Sequence, residues 1–157
     1  MNLYQPLSAM ERKAILDSAR SIAIIGASSN PSRASNFVMT YLQSSMCEFD
    51  LYPVNPVEDE INGVRCYPTL DAVPVVPDIV DVFRASDACP QVAREAVAKG
   101  AGTLWLQLGV WSDEAASIAL EGGLNVVMDR CTKIEHARFA GGLHLAGFDT
   151  GVIDSRR

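Results

Sequence analysis

The sequence predicts an α/β fold with three layers, in which helices cover both faces of one parallel sheet. Two observations support this prediction. Five apolar runs of strand length recur along the 157 residues, and segments with helical spacing separate them. The runs are apolar almost throughout, which indicates strands that are buried on both faces. Because crossovers between parallel strands are right-handed and carry helices, we expect a doubly wound, five-stranded parallel sheet of order 3-2-1-4-5.

Local patterns place the elements. Strands one to five are predicted at 21–25, 50–54, 79–83, 103–107 and 125–128. Ser8 and Glu11 have capping-box spacing, which predicts a first helix that ends near Ala19. The later helices are predicted to begin near side chains that cap helix amides, at Ser35, Asp87, Ser112 and Thr132. The residues Phe37, Val38, Tyr41 and Leu42 share one helical face, which we expect to pack on the sheet.

The chain is predicted to hold one domain. Residues 1–20 form a helix packed on it, residues 21–140 form the domain itself, and residues 141–157 form an irregular C-terminal arm. The arm is rich in glycine and follows neither the helical nor the strand period. We expect it to lie against the surface, of this chain or of a neighbouring subunit, or to be a mobile end.

Composition argues against several classes of partner. The formal net charge is -6 and no stretch concentrates Lys and Arg, so we expect neither a nucleic acid nor an anionic membrane surface as partner. No apolar run approaches the ~20 residues that a membrane span needs. Neither His136 nor His144 has a ligand partner at metal-binding spacing, so we predict no metal site.

The four cysteines are scattered and form no C-x-x-C pair. No secretory leader is recognisable at the N-terminus. Cys47, Cys66, Cys89 and Cys131 are therefore predicted to be reduced thiols of a cytoplasmic protein.

The junction after the first strand is the strongest functional signal. Gly26 follows the apolar run 21–25 and precedes a hydroxyl-rich loop that opens a helix. In doubly wound folds such a junction binds phosphates, through backbone amides and the positive end of the helix dipole. The sharp turn and the amide donors to phosphate are predicted to be formed by Gly26, Ala27, Ser28, Ser29 and Asn30. A plain strand-to-helix turn also fits this pattern, because two of the three glycines of a GxGxxG motif are missing.

Further candidate residues lie at the ends of the other strands. Val54, Asn55 and Pro56 form a stiff wall that suits an adenine ring, although a rigid β-α turn would look the same. An acidic residue that would read the ribose of NAD is missing from this loop. Arg84 follows strand three, on the edge where a phosphate would lie, or else is a solvated surface arginine. With the predicted strand order, the loop Gln107, Leu108 and Gly109 borders the ligand crevice.

Cys131 is the most plausible reactive cysteine, although a weak catalytic candidate. It lies directly before a predicted helix start and beside Arg130 and Lys133, which would favour its thiolate. His136 is five residues away, so spacing implies no Cys-His pair. A helix cap with ion pairs explains the same residues, and we prefer that interpretation.

Five segments in order resemble the CoA-binding domain family, in its small single-domain YccU type, which is related to the CoA-binding N-terminal domain of the succinyl-CoA synthetase α subunit. The resemblance covers roughly Ile22 to Phe139. The matching segments are Ile24-Ile25-Gly26-Ala27-Ser28, Tyr52-Pro53-Val54-Asn55-Pro56, Val80-Asp81-Val82-Phe83-Arg84, Trp105-Leu106-Gln107-Leu108-Gly109, and Met128-Asp129-Arg130-Cys131 followed by Glu135-His136-Ala137-Arg138.

This resemblance implies a Rossmann-like domain that binds coenzyme A or an acyl-CoA. It implies the pyrophosphate at Gly26 to Ser29, the adenosine near Val54 to Pro56, and the pantetheine arm passing Phe83 and Arg84 and then 107–109. Arg33 or Arg84 is the expected contact for the 3′-phosphate. Ser35, at the start of the helix, completes the predicted cofactor-binding set.

Three functions remain open from the sequence. The first is a coenzyme A-binding module that is not catalytic alone, since the phosphorylated histidine of the synthetase lies on a second domain that this chain lacks. The second is an acyl-CoA-linked or thiol-redox enzyme that uses Cys131. The third is an NAD-dependent oxidoreductase, disfavoured by the missing ribose carboxylate. A second copy of the chain or another protein is left open as a partner.

Overall fold

A parallel sheet of five strands forms the centre of the computed structural model, which describes residues 4–44 and 47–140. Its strands run in the order β2-β1-β5-β6-β7, and all neighbours pair in parallel. A separate antiparallel hairpin is formed by β3 and β4. The strands are β1 (Ser21–Ile25), β2 (Asp50–Val54), β3 (Glu60–Ile61), β4 (Val64–Arg65), β5 (Ile79–Val82), β6 (Thr103–Leu106) and β7 (Asn125–Val127).

Helices cover both faces of the sheet, as the sequence predicts. They are α1 (Ala9–Ser18), α2 (Ala34–Leu42), α3 (Cys89–Lys99), α4 (Asp113–Glu121) and α5 (Thr132–Ala140). Helix α3 packs against α4, while α1 and α2 both contact α5. Ile22 and Ile24 of β1 belong to the core under α1 and α2, whereas Ala23 and Ile25 belong to the core under α3. Burial on both faces explains why the strand reads as continuously apolar.

The predicted strand order is wrong. The predicted strands one to five correspond to β1, β2, β5, β6 and β7, so the observed order is 2-1-3-4-5. Pro53 explains why β2 lies at the edge and not inside the sheet. The Pro53 carbonyl accepts from Tyr67 on the side away from β1, whereas the Val54 carbonyl accepts from Gly26 on the β1 side. The missing amide hydrogen of Pro53 thus faces the outer edge, where no ladder needs it.

This order moves the point where the sheet reverses direction. The reversal lies between β1 and β5, not between β1 and β6 as predicted. Ligands of doubly wound sheets bind outside the carboxyl ends of the strands at this point. The loops that follow Ile25 and Val82 therefore border the crevice, and the loop after β6 lies one strand farther away.

Several predicted helix ends are confirmed and others are wrong. Ser8 and Glu11 make both hydrogen bonds of a capping box, and the Ser112 side chain accepts from Ala115. Asp87 lies in a 3₁₀ turn and does not cap α3, whose N-cap is Ala88. Phe37 is 60% exposed, so it does not join the face that packs on the sheet.

Other expectations fall partly outside the described ranges. The predicted arm at 141–157, with His144, lies outside the described residues, and the division into helix, domain and arm stays a prediction. Across residues 4–44 and 47–140, no helix has the length and apolarity of a membrane span. All four cysteines are free thiols.

Candidate functional site

Gly26 lies where the ends of three strands meet. Its φ of +83° is a conformation that favours glycine, and a Cβ atom here would lie 3.1 Å from Arg84 Cδ and 3.3 Å from the Phe83 carbonyl oxygen. Its amide and that of Ala27 both donate to the Val54 carbonyl at 3.2 Å. The loop after β1 is therefore held against β2 on one side and against the end of β5 on the other.

Two clefts meet at Gly26. The polar cleft, of about 370 Å³, lies on the side of α2, and the apolar cleft, of about 350 Å³, lies on the side of α3. The polar cleft is lined by Gly26, Ala27, Ser28, Arg33, Ala34, Ser35, Asn55 and Phe83. The apolar cleft is lined by Ile25, Gly26, Val54, Pro56, Pro68, Thr69, Leu70, Arg84, Ala88, Gln91, Val92 and Glu95.

A larger cleft of about 430 Å³ lies elsewhere, along the outer edge of β2. Asp50, Tyr52 and Tyr67 are among the residues that line it. It holds none of the predicted binding residues and lies away from the reversal point of the sheet. Position in the fold therefore favours the two smaller clefts as the site.

Four of the five predicted loop amides already have acceptors. Those of Gly26 and Ala27 donate to Val54, as described. The Ser29 amide donates to Glu58 Oε2 at 3.0 Å, and the Asn30 amide donates to Ser28 Oγ at 3.0 Å. Only the Ser28 amide is left, so the predicted set of donors is mostly used within the protein.

The start of α2 supplies the missing donors. Within the described residues, the amides of Ser28, Ala34 and Ser35 have no hydrogen-bond acceptor, and all three residues line the polar cleft. The N-cap of α2 is Arg33, whose side chain makes no capping bond, so Ser35 is not the cap that the sequence predicted. A helix normally satisfies these amides with a Ser, Thr, Asp or Asn oxygen. Here the positive end of the helix faces the cleft without such an oxygen.

Asn55 builds the wall between β2 and the loop after β1. Its Nδ2 donates to the Ala27 carbonyl at 2.8 Å, and its Oδ1 accepts from the amides of Val57 at 2.7 Å and Glu58 at 3.1 Å. Val54 and Pro56 line the apolar cleft, while Asn55 lines the polar one. The predicted stiff wall thus separates the two clefts.

Two arginines bring positive side chains to the two clefts. Arg33 lines the polar cleft and Arg84 lines the apolar cleft, and both are exposed. Neither makes an ion pair with any residue that the structure describes. Both are therefore free to contact the phosphates of a ligand.

The side chain of Gln107 is turned away from any ligand. It is 4% exposed, and its Nε2 donates to Asp81 Oδ1 and to Thr132 Oγ1. Thr132 Oγ1 also donates to Asp81 Oδ2 at 3.0 Å. The prediction that Gln107 offers its amide to the cofactor is therefore wrong for the side chain, because the buried Asp81 carboxylate uses it.

Asp81 is fully buried in the central strand β5. Burial raises the pKa of this carboxyl group to about 7, although the hydrogen bonds from Gln107 and Thr132 partly oppose the shift. The network ties β5, the end of β6 and the start of α5 together. It fixes the carboxyl edge of the sheet without facing either cleft.

Leu108 and Gly109 line neither cleft. Gly109 has a φ of +87°, and its amide donates to Asp129 Oδ1 at 2.7 Å. The corrected strand order explains their position, since β6 is not next to β1. Ser29 and Asn30 likewise lie in the loop but outside the two sets of lining residues.

Cys131 does not have the properties of a reactive thiol. It is 8% exposed, and burial raises the pKa of its thiol, which outweighs the lowering by backbone hydrogen bonds from Ile134 and Lys133 and by the Lys133 charge. The predicted capping box at Thr132 and Glu135 is also wrong. Thr132 bonds Asp81, and Glu135 forms a buried ion pair with Arg12 of α1.

Sequence reasoning missed Glu58 and the apolar cleft. Glu58 lies four residues beyond β2, and only the folded loop brings its carboxylate to Ser29. The only signal in the sequence was Asn55, a residue that favours an Asx turn, three residues before Glu58. Leu70 and Val92 of the apolar cleft lie far apart in sequence, and neither residue indicated a ligand site by itself.

The chain is similar to known proteins in sequence and in structure. The family model "CoA binding domain" matches residues 20–137. The protein YneT of Bacillus subtilis is 38% identical over 130 residues, which span 83% of this chain and 95% of YneT. A solved structure of a hypothetical protein from Pyrococcus horikoshii has a TM-score of 0.80 at 35% identity, covering 88% of this chain and 98% of the other.

A larger relative contains a similar segment. The ADP-forming acetate-CoA ligase II of Archaeoglobus fulgidus is 30% identical over 81 residues. That match spans 52% of this chain but 12% of the ligase. The similarity therefore extends to one small part of the ligase.

Proposed function

The chain belongs to the CoA-binding domain family, and from that premise we propose that it binds coenzyme A, or an acyl-CoA, where the two clefts meet, and that it is not catalytic alone. One observation carries the proposal. Ser28, Ala34 and Ser35 all line the polar cleft, and their amides have no acceptors among the described residues, at the start of a helix that has no capping side chain. Such a set of donors suits a phosphate.

The two clefts suit the two ends of this ligand. In the proposal the diphosphate crosses Gly26, where the missing Cβ permits a close approach, and Arg33 balances its charge. The adenine lies in the apolar cleft between Val54 and Leu70, and Arg84 lies beside it for the 3′-phosphate. The pantetheine arm leaves past Phe83.

We prefer a binding module to an enzyme because the candidate nucleophile is not suited to catalysis. The candidate nucleophile Cys131 is buried, and its pKa is raised, which opposes thiolate formation. Cys131 also lines neither cleft. Binding alone is sufficient for a role as a carrier, a sensor or a partner subunit.

Calorimetry with a panel of ligands tests the proposal. We expect coenzyme A to bind more tightly than dephospho-CoA, because the 3′-phosphate gains a charge-assisted contact with an arginine. We expect ATP and NAD to bind more weakly than coenzyme A. Tighter binding of NAD than of coenzyme A, or no binding of coenzyme A, would overturn the proposed function.

A further inference from the structure

Glu58 already occupies part of the loop that the proposed function assigns to phosphate. Its Oε2 accepts from the Ser29 amide at 3.0 Å. Ser29 directly follows Ser28, which lines the polar cleft and whose amide has no acceptor among the described residues. A carboxylate therefore lies on one of two consecutive amides, and the other is a proposed donor to the diphosphate.

The contact is built by the fold and is not a chance encounter of mobile side chains. Asn55 Oδ1 accepts from the amides of Val57 and Glu58, which closes the turn after β2. Asn55 Nδ2 fastens the same turn to the Ala27 carbonyl. Two residues of the turn thus bind the loop after β1, and Glu58, which is half-buried, is aimed at Ser29.

The charge of Glu58 opposes a second anion at this place. Two like charges on neighbouring amides repel, and a carboxylate holds an amide about twice as strongly as a neutral acceptor does. A singly charged anion has little advantage over the resident carboxylate. A diphosphate carries more charge and has further donors at Ala34 and Ser35.

We propose that Glu58 is a specificity-determining residue, an internal anion held on the Ser29 amide whose charge opposes the ligand's diphosphate at the neighbouring Ser28 amide and so selects for diphosphate esters over weaker anions. This inference deepens the proposed function and rests on it for the identity of the ligand. Removing a residue that contacts a ligand ordinarily weakens binding, but this inference predicts the opposite for Glu58. Removing Glu58 tightens binding.

Charge-neutral variants with a matched control test this inference by calorimetry. Glu58→Gln removes the charge and Glu58→Ala removes the acceptor, and each should lower the Kd for coenzyme A by about three- to tenfold. Asp59→Asn removes the same charge from an exposed neighbour, and should change the Kd by less than about twofold because solvent screens it. Weaker binding in Glu58→Gln, or an equal effect of Asp59→Asn, would overturn the inference.

An experiment without coenzyme A distinguishes failure of this inference from failure of the proposed function. Inorganic pyrophosphate, titrated into ¹⁵N-labelled protein, should move the amide resonances of Ser28 and Ser29 at lower concentration in Glu58→Ala than in wild type. If that pattern holds while no variant binds coenzyme A, the ligand assignment fails and the role of Glu58 stands. If pyrophosphate moves the Ser29 resonance equally in both proteins, the role of Glu58 is refuted.

Discussion

Arg84 Cδ lies 3.1 Å from the position that a Cβ atom on Gly26 would occupy. The two residues follow the paired strands β1 and β5, and the Phe83 amide donates to the Ile25 carbonyl at 2.9 Å, which extends that pairing to the last residue. The glycine therefore has two functions. It allows the left-handed turn, and it leaves room for the Arg84 side chain beside the apolar cleft.

Gly26→Ala should weaken coenzyme A binding by at least about tenfold, because it strains the turn and displaces Arg84. Gly123→Ala is the matched control. Gly123 has a φ of +87°, but a Cβ there would meet nothing within 4 Å, so the substitution carries the strain without the clash. Both variants should lose about 1 kcal/mol of unfolding free energy through strain. Equal affinity of the two variants for coenzyme A would contradict the assignment of Gly26 to the site.

Arg33 gives a second prediction, on charge. Arg33→Met keeps most of the apolar stem but removes the cation beside the uncapped start of α2, and should weaken coenzyme A binding by about five- to tenfold. Arg20→Met removes an equal charge at the amino end of β1, on the opposite edge of the sheet, and should leave the affinity unchanged. Titrations at two salt concentrations should show a smaller salt dependence for Arg33→Met than for wild type. An unchanged salt dependence would place the phosphates elsewhere.

The residues that the sequence could and could not identify differ in a physical way. The β1 junction was predictable because a buried apolar strand and Gly26 are neighbours in the chain. The strand order was predicted wrongly, although Pro53 held the signal, since a proline within a strand belongs at a sheet edge. Gln107 was misjudged because every residue of β6 is buried, so alternation does not reveal which way the next side chain points. The contact of Glu58 with Ser29 could not be predicted, because only the folded turn after β2 brings the two residues together.

Cys131 gives a third prediction, which separates a binding module from a thiol enzyme. Cys131→Ser should leave coenzyme A affinity unchanged, because the side chain lines neither cleft. Cys47 is partly exposed while the other three thiols are buried, so it should react first with a thiol reagent in the folded protein. Cys47→Ser should remove that fast phase and Cys131→Ser should not. A fast phase lost in Cys131→Ser would revive the enzyme hypothesis.

Asp81 gives a prediction on pH and stability. Burial raises the pKa of Asp81 to about 7 in the folded protein, whereas an unfolded chain has an Asp pKa of about 3.9. Between these values the folded protein binds more protons than the unfolded chain, so this group's contribution to stability falls as pH rises from about 4 to about 7. The loss is on the order of a few kcal/mol and levels off above that range.

The test of this sign uses a neutral replacement. Asp81→Asn keeps the shape but cannot ionise, so its unfolding free energy in urea should lack the component that wild type loses between about pH 4 and about pH 7. Asp71→Asn, at an exposed position, should follow wild type, because that carboxylate is in water in both states. The difference between wild type and Asp81→Asn isolates the buried group, since all other titrating residues are common to both. If the two proteins change in parallel with pH, Asp81 is ionised in the core, and the hydrogen bonds from Gln107 and Thr132 outweigh the cost of burying its charge.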